Sequence, residues 1–442
     1  MEVLYLIVSV LIIIFLTARL EVHPFIALLL VALMYGFLSG MSSVEIIQSV
    51  NDGFGKTLGG IGLIIILGII IGAFLENSGG AYAIAEKVLK VIGKDKIPAA
   101  MGLIGWFVSI PVFADSGFLL LSPLNKSLSK TAKISLAGSA IALAMGLTAS
   151  HTMVPPTPGP IAASGILGAD LGLVLAVGIP VSLIALIAGI IFAIKFAAKT
   201  YIDPNPQISE EELKTRAENA PGAFKSSLPV LVPILLIVLK SLVKAFEGLN
   251  GSLVDIILFI GEPFIALLIG VFLALLLPKK LKKEMLSTSG WIGKSLTGAA
   301  SIILITGAGG IFGKVLQNSG IADVLGETLA DLNLSIWLPF LLAAAIKTAQ
   351  GSSTVALITT ASIMAPLMES LGFVDNLEKA MVVIAIGAGS AVVSHANDSF
   401  FWVVTQMSGM DTRMGYRMQT LGTFVLGTTA ALTLFVAHLI LN

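Results

Sequence analysis

The sequence predicts an all-α polytopic membrane protein built from two inverted-topology repeats, with re-entrant helical hairpins and broken transmembrane helices. Three observations predict this fold class. The composition is strongly apolar, several segments recur about 240 residues later, and a few apolar segments are interrupted by polar residues, glycine and proline.

The composition places the chain in a lipid bilayer. Its 442 residues are 56% hydrophobic and 12% charged, with a mean hydropathy of +0.99, which excludes an ordinary soluble globule. Without the alternation typical of β-barrels, the spans are predicted to be helices of roughly 20 apolar residues. The candidate runs are 3–17, 58–75, 171–196, 252–277 and 420–441.

Charge and cysteine content exclude other classes of protein and site. Lysine and arginine together number 26, as do aspartate and glutamate, so nothing indicates a nucleic-acid partner. The chain has no cysteine, which excludes disulfides and thiolate metal sites. We expect no cofactor and no metal site.

The internal repeat is visible in three pairs of segments that keep their order. HPFIALLLVAL at 23–33 returns as EPFIALLIGVF at 262–272, FGKTLGG at 54–60 as IGKSLTG at 292–298, and LENSG at 75–79 as LQNSG at 316–320. Two related halves in one membrane protein are typical of transporters.

Charged residues divide and orient these halves. Residues 199–227 collect charge and three prolines, so we predict a first inverted repeat at 1–198, a charged cytoplasmic linker at 199–227 and a second inverted repeat at 228–442. Basic loops stay cytoplasmic. Four lysines follow LENSG, whereas three acidic residues and no lysine follow LQNSG, at Asp323, Glu327 and Asp331. The opposite charge predicts opposite orientation of the halves and places both termini outside.

Two apolar segments contain a break and are predicted to be helical hairpins with unwound tips. The first, 101–124, contains Pro111, an interruption at Asp115 to Gly117 and Pro123, and the second, 338–367, is interrupted at Gln350 to Thr354. Such breaks must face protein or a water-filled cavity, because backbone polar groups exposed to lipid would lose their hydrogen bonds. The free N–H groups and the dipole at the start of a half-helix favour a carboxylate.

A second interruption follows each hairpin, at 148–160 and at 394–401. Both contain a Ser-His pair, Ser150-His151 and Ser394-His395, and four prolines in the first should prevent a regular helix. Four unwound segments meeting at mid-membrane would form a polar cavity for one small solute. The histidines could instead be interfacial loop residues, and Asp115 could simply cap a half-helix.

Lys347 is unusual because it lies within the apolar run AAAIKTAQG. A charge inside a transmembrane segment is costly, so it usually faces the bundle interior and has a partner or binds an anion. Lys347 is therefore a candidate site residue.

At these residues the chain resembles the gluconate permease family of bacterial sugar-acid:proton symporters, over essentially its whole length. The matching stretches include LENSGGA, PPTPGP, GSSTVA and GSAVVSHANDSFFW. The resemblance implies a fold of the ion-transporter superfamily, a homodimer, and an elevator-like shift of a transport domain. It places the polar tips and broken spans of the family on Asp115, Ser116, Gly117, His151, Gly351, Ser352, Ser353, Thr354, His395, Asn397 and Asp398.

Three residues depart from the pattern of the family. Gluconate carriers have Glu at the position of Asp115, commonly His at Thr157, and Arg at Lys347. Arginine presents a planar fork to a carboxylate whereas lysine is a point charge, so the last exchange is not conservative. Glycerate or a four-carbon sugar acid is therefore as compatible with the sequence as gluconate.

The sequence thus predicts a multi-pass transporter of the bacterial inner membrane that imports a small hydroxy-carboxylate by proton symport. We expect Lys347 and the tip at Gly351, Ser352, Ser353 and Thr354 to hold the carboxylate. Hydroxyl groups of the substrate should meet Ser116, Thr157 and Asn397, with Gly117 and His395 in the same site. Asp115 is the first candidate for proton coupling, followed by His151 and Asp398.

Three alternatives stay open at this point. Unwound, carbonyl-rich tips can also bind sodium, which would make the protein a sodium-coupled organic-anion symporter. An intramembrane enzyme would lack the usual motifs, since the sequence has neither HExxH nor Gly-x-Ser-x-Gly. A passive channel would not accumulate its solute against a gradient.

Overall fold

The computed structural model describes residues 2–93, 96–205, 220–246, 251–321 and 335–441. Every regular element longer than five residues in these ranges is a helix, as the sequence predicts. The first half contains α1 to α9, which are Glu2–Ile14, Pro24–Leu38, Ser43–Asn77, Gly80–Ile92, Ile97–Val108, Ala114–Thr131, Leu136–Met153, Pro158–Leu167 and Leu171–Lys195.

The second half contains α10 to α18. These helices are Ala223–Ala245, Ser252–Ile260, Pro263–Leu275, Trp291–Asn318, Trp337–Gln350, Ser353–Met364, Asn376–Ala391, Ser399–Ser408 and Leu421–Leu441. A four-residue helix, Thr412–Gly415, and a π-helical turn, Tyr416–Thr420, lead into α18.

Six described helices are long and apolar enough to cross a bilayer, or seven spans if one bent pair is counted. This confirms the prediction of an all-helical polytopic membrane protein. Residues 206–219 of the predicted linker lie outside the described residues, as do Asp323, Glu327 and Asp331. Helix α10 begins at Ala223, before the predicted end of the linker.

The run 252–277 was predicted to cross the membrane as a helix, but it is not one continuous helix. Helices α11 and α12 meet at an angle of 69°. The chain bends at Gly261 and Glu262, and Pro263 starts the next helix. Glu262 forms an ion pair with Lys240 of α10. A carboxylate would be costly in the middle of a lipid-facing helix, whereas at the bend it has a cationic partner.

The two halves present their helices in the same order. A long helix, α3 or α13, precedes a pair of shorter helices, α5–α6 or α14–α15. In the first half α4 lies between them, and in the second half residues 322–334, outside the described residues, lie between them. Then come a helix with a break, α7–α8 or α16–α17, and a terminal span, α9 or α18. The longest helices of the two halves pack against each other.

The crossing of α3 and α13 depends on two glycines. A Cβ atom added to Gly53 would lie 2.5 Å from the carbonyl oxygen of Gly310, and one added to Gly310 would lie 2.1 Å from Thr57 Oγ1. Any larger residue must therefore push the two backbones apart. Small residues allow this close approach between membrane helices.

We expect Gly310→Ala to lower the thermal unfolding midpoint, because overpacking a tight contact costs about 1–3 kcal/mol. Gly59→Ala on α3 is the matched control, since nothing lies within 4 Å of a Cβ atom at Gly59. Both midpoints can be measured in detergent. Equal midpoints for the two variants would show that the crossing tolerates a methyl group.

Four chain breaks interrupt the helices of the two halves. The hairpins are broken at 109–113, between α5 and α6, and at Gly351–Ser352, between α14 and α15; the helices that follow them are broken at 154–157 and at 392–398. The second hairpin tip lies where it was predicted. The first does not, because Asp115 to Gly117 form the start of α6 and the break falls around Pro111. Proline has no N–H and ends the helix there, whereas aspartate and serine fit well in a first helical turn.

Candidate solute-binding site

A cavity of about 290 Å³ is lined by residues of three of these breaks, at 109–113, 351–352 and 392–398, whereas the break at 154–157 contributes none. Its volume is close to the lower end of small-molecule sites, about 300–1,000 Å³. The lining residues come from both halves and most are polar: Phe113, Ala114, Asp115, Thr148, His151, Thr152, Lys347, Gln350, Gly351, Ser352, Ser353, Thr354, Ala391, Ser394, Asn397, Asp398, Ser399 and Phe400.

The structure brings together nine of the thirteen residues predicted from sequence. The nine in the cavity lining are Asp115, His151, Lys347, Gly351, Ser352, Ser353, Thr354, Asn397 and Asp398. Ser116, Gly117, Thr157 and His395 are not among the lining residues. The Thr157 hydroxyl donates to the Val154 carbonyl at 2.7 Å, and Gly117 packs against the side chain of Leu147.

Three helix N-termini open onto the cavity. Their first residues, Ala114 of α6, Ser353 of α15 and Ser399 of α17, all line it. Each N-terminus carries free N–H groups and the positive end of a helix dipole. The cavity is therefore suited to anions.

Two of these N-termini have an acidic side chain of their own. Asp115 lies in the first turn of α6, and Asp398 caps α17 by accepting a hydrogen bond from Phe400 N at 3.0 Å. Helix α15 is capped by Ser352, whose hydroxyl accepts from Val355 N. The N-terminus of α15 is thus the one of the three without a protein carboxylate.

Lys347 is buried and paired. Its side chain is 1% exposed, and Nζ lies 2.7 Å from Asp398 Oδ2. Nζ also donates to the carbonyl oxygen of Gly351. An ammonium has three donors, so one remains for a ligand in the cavity.

The loop after α16 holds Asp398 in position. Ser394 Oγ donates to Asp398 Oδ2 at 2.5 Å. The backbone of Ser394 is held in turn by two hydroxyls at the start of α18, since its N–H donates to Thr423 Oγ1 and its carbonyl accepts from Thr420 Oγ1. Asp398 is therefore held by Ser394, whose backbone is positioned in turn by Thr420 and Thr423.

The two tips of the second half are packed directly against each other. Asn397 Nδ2 lies 2.9 Å from the Thr348 carbonyl oxygen and 3.1 Å from that of Ala349, and His395 Nε2 lies 2.8 Å from Thr348 O. Gly351 adopts φ +91°, and a Cβ atom there would lie 2.1 Å from Asn397 O. Glycine suits this position both for its positive φ and for its lack of a side chain.

Asp115 and His151 reach the cavity from the first half. Asp115 is half-buried, and its Oδ1 lies 3.5 Å from Ser399 Oγ. The His151 ring lies 6.0 Å from the Phe113 ring, between centroids, and His151 Nδ1 is buried with no hydrogen-bond partner among the described residues. This unpaired nitrogen on the cavity wall is available to a ligand.

The predicted unwinding at His151 is wrong. Helix α7 stays regular to Met153 and the chain unwinds only at 154–157, so His151 lies in a helix whereas His395 lies in a loop. The Ser-His pairs therefore occupy different elements. Helix α7 can continue to Met153 because Pro155 restricts only its own backbone and that of the residue before it, and Val154 is extended. Pro158 is the first residue of α8, a position where proline is favourable.

Sequence reasoning missed several polar residues of the cavity. Thr152 is adjacent to His151, and Thr148 lies about one helical turn before it. Treating this segment as a helix would have placed Thr148 on the same face as His151. Gln350 and Ser399 flank predicted site residues, and Ser394 was noted only as part of the Ser-His pair. Within the described ranges, no three His, Asp or Glu side chains come together as a metal site.

The comparisons with known proteins agree with a transport site. The model of a family described as GntP family permease matches residues 1–440. The gluconate permease of Pseudomonas aeruginosa is 34% identical over 441 residues, which cover 98% of this chain and 97% of that protein. The inner membrane permease YgbN of Escherichia coli K12 is 34% identical, with coverage of 96% and 95%.

A further relative and a solved structure broaden this comparison. The D-serine transporter DsdX of E. coli K12 is 31% identical, with coverage of 99% of this chain and 98% of that protein. The crystal structure of the Alcanivorax borkumensis YdaH transporter superposes with a TM-score of 0.63 at 13% identity, covering 94% and 98% of the two chains. At this identity the structural likeness concerns the fold alone.

Proposed function

This chain belongs to the GntP family of permeases, and from this membership we propose that it imports a small hydroxy-carboxylate by proton symport. The family makes it a transporter and not an enzyme, and a multi-pass protein of the bacterial inner membrane. Gluconate, glycerate and four-carbon sugar acids are the substrate candidates.

One observation carries the choice of a carboxylate. Of the three helix N-termini on the cavity, that of α15 has a serine cap and no acidic side chain in its first turn. A substrate carboxylate placed there would receive the free N–H groups and hydroxyls of Ser353 and Thr354, with Lys347 beside it. Backbone N–H groups and a nearby ammonium are strong partners for a carboxylate.

The substituents of the substrate would meet the opposite wall. Thr148 Oγ1 and His151 Nδ1 are buried there without partners among the described residues, and Asp115 lies nearby in the same lining. Hydroxyl groups can donate to or accept from each of these groups. An unpaired buried polar atom is costly, so a polyhydroxy acid fits this wall better than an apolar one.

An amino acid is the second candidate. The relative named a D-serine transporter handles a solute that, like a sugar acid, has a polar substituent beside its carboxylate. Asp115 could pair with an ammonium group at that position. Competition by D-serine against a labelled sugar acid distinguishes these two substrate classes.

The charges in the cavity support the proposal of proton coupling. Lys347 and Asp398 neutralise each other, which leaves Asp115 as an additional acidic group. An ionised Asp115 would repel an incoming carboxylate, so the anion and a proton on Asp115 each favour binding of the other. This reciprocal preference is what a symporter requires, and His151 and Asp398 are the next candidates to carry the proton.

We propose that the halves at 1–198 and 228–442 are inverted repeats joined by a cytoplasmic linker, and that the protein is a homodimer with an elevator-type motion. Helices α5–α8 and α14–α17 would move with the cavity against α3 and α13. The close packing of Gly68 on Pro156 O and of Gly72 on Pro111 O supports this division, because the glycines carry no side chain that would interlock α3 with either break of the first half.

Uptake into proteoliposomes tests the proposed function. We expect labelled gluconate or glycerate to accumulate with an inward proton gradient, and a protonophore to abolish accumulation. A gradient of one pH unit can support about tenfold accumulation for one proton per substrate. Accumulation driven only by an equal sodium gradient would refute proton coupling, and uptake of D-serine alone would refute the hydroxy-acid assignment.

A further inference from the structure

The C-terminal end of α14 lies directly on the cavity, with Gln350 in the lining. The last carbonyl groups of a helix have no partners within the helix and form the negative end of its dipole. In secondary transporters with broken helices, such ends and the adjacent unwound carbonyls bind the coupling cation. This end of α14 therefore has the general geometry of a cation site.

A side chain of the protein occupies this position. Lys347 Nζ contacts the carbonyl oxygen of Gly351 and lies 2.7 Å from Asp398 Oδ2. Carbonyl and carboxylate oxygens are also the ligands that hard cations such as sodium prefer. The ammonium carries the same charge as a sodium ion and sits among the same kinds of oxygen.

Further oxygens of the same tip are already bound to nitrogen donors. The Thr348 carbonyl accepts from His395 and Asn397, Asn397 also reaches Ala349 O, and Gln350 Nε2 donates to the Ser352 carbonyl. In the natural protein, a sodium ion that used these oxygens would have to displace their donors, and one at Gly351 O and Asp398 Oδ2 would have to displace the Lys347 ammonium. Both effects oppose sodium binding.

We propose that Lys347 is a built-in counter-ion that fills a monovalent-cation site between Gly351 O and Asp398 Oδ2, and that its removal opens this site to sodium. The inference rests on the proposed function only for the role of the cavity in coupling. The natural protein should therefore not bind sodium at this position. Variants with a short, neutral residue at position 347 should bind it.

The test measures the midpoint of thermal unfolding of the protein in detergent, without substrate. Sodium chloride replaces choline chloride in steps, so that the ionic strength stays constant. For the natural protein we expect no shift of the midpoint and no saturable binding of sodium-22. Lys347→Ala should have a lower midpoint than the natural protein in choline chloride. Sodium should raise this midpoint to a plateau, because a ligand that binds only the folded state stabilises it.

Two controls separate this effect from a general response to salt. Lys240→Ala removes another buried lysine, 8% exposed and paired with Glu262, and should lose stability without any recovery in sodium. Lys347→Ala combined with Asp398→Asn removes the carboxylate ligand of the site, so the sodium-dependent shift should disappear.

A sodium-dependent midpoint or saturable sodium-22 binding in the natural protein overturns the proposal, whether or not any variant folds. A folded Lys347→Ala variant that is insensitive to sodium overturns it as well. Should that variant not be obtained folded, Lys347→Ser, whose hydroxyl adds an oxygen ligand, takes its place. Because no substrate is present, these outcomes are independent of the uptake experiments that test the hydroxy-acid assignment.

Discussion

Asp115→Asn is expected to abolish proton-driven accumulation while preserving exchange of labelled substrate across the membrane. Asparagine has nearly the shape of a protonated aspartic acid but cannot release a proton. The substrate should therefore still bind in the cavity, since no negative charge repels its carboxylate. Exchange needs only the movement of the loaded carrier, whereas accumulation also needs the proton to be carried and released.

The measurement compares two assays on the same proteoliposomes. With an inward gradient of one pH unit, the natural protein can accumulate substrate about tenfold, and the variant should stop at the equilibrium ratio. Counterflow with internal unlabelled substrate should continue. Asp411→Asn is the matched control, since Asp411 caps an exposed helix start far along the chain and should leave both assays unchanged.

Equal loss of accumulation and exchange would contradict the coupling role of Asp115 and assign it to substrate binding. Unchanged accumulation would show that another group carries the proton. His151 and Asp398 are then the residues to replace, in that order.

Asp398→Asn is expected to cause the largest loss of stability among single substitutions in the cavity. Breaking a buried ion pair by removing one partner costs about 3–5 kcal/mol, because the remaining charge is left without compensation. Here that charge is Lys347, which is 1% exposed. Asparagine is as good an N-cap as aspartate, so α17 keeps its cap, while the amide group that replaces Oδ2 cannot accept from Lys347 or from Ser394.

Thermal unfolding in detergent measures this effect, and uptake should be lost in the same variant. Asp375→Asn is a suitable control, since Asp375 also caps a helix, α16, but at an exposed position. Combining Asp398→Asn with Lys347→Met should restore part of the midpoint, because removing both charges of a buried pair is much cheaper than removing one. A double variant no more stable than Asp398→Asn would show that the loss has another cause.

The second hairpin illustrates what could be predicted from sequence. Glycine followed by serine inside an apolar run predicts a break in the helix and a new half-helix capped by serine. The structure agrees, since α15 begins at Ser353 with Ser352 as its cap. Lys347 could be identified because a charge in such a run needs a partner. The local chemistry of these residues is enough for both predictions.

The first hairpin shows the limit of this reasoning. Asp-Ser-Gly is common both in turns and at the start of helices. The residue types at 115–117 therefore do not predict whether this segment lies in the break or in the helix that follows it. Packing decides, since Pro111 O contacts α3 at Gly72 and Gly117 packs against Leu147 of α7. Similarly, the Ser-His pairs look equivalent in sequence, yet one lies in a helix and the other in a loop.

Taken alone, the sequence determined the membrane environment, the helical class, the position of the second tip and the presence of a buried charge. These features depend on hydropathy and on local backbone chemistry, which act over a few neighbouring residues. Only the tertiary structure decided that Asp398 is the partner of Lys347, that Asp115 faces them from the other half, and that Thr157 does not line the cavity. Such contacts join residues 51 positions apart or more, and they depend on how whole helices pack, which no local pattern specifies.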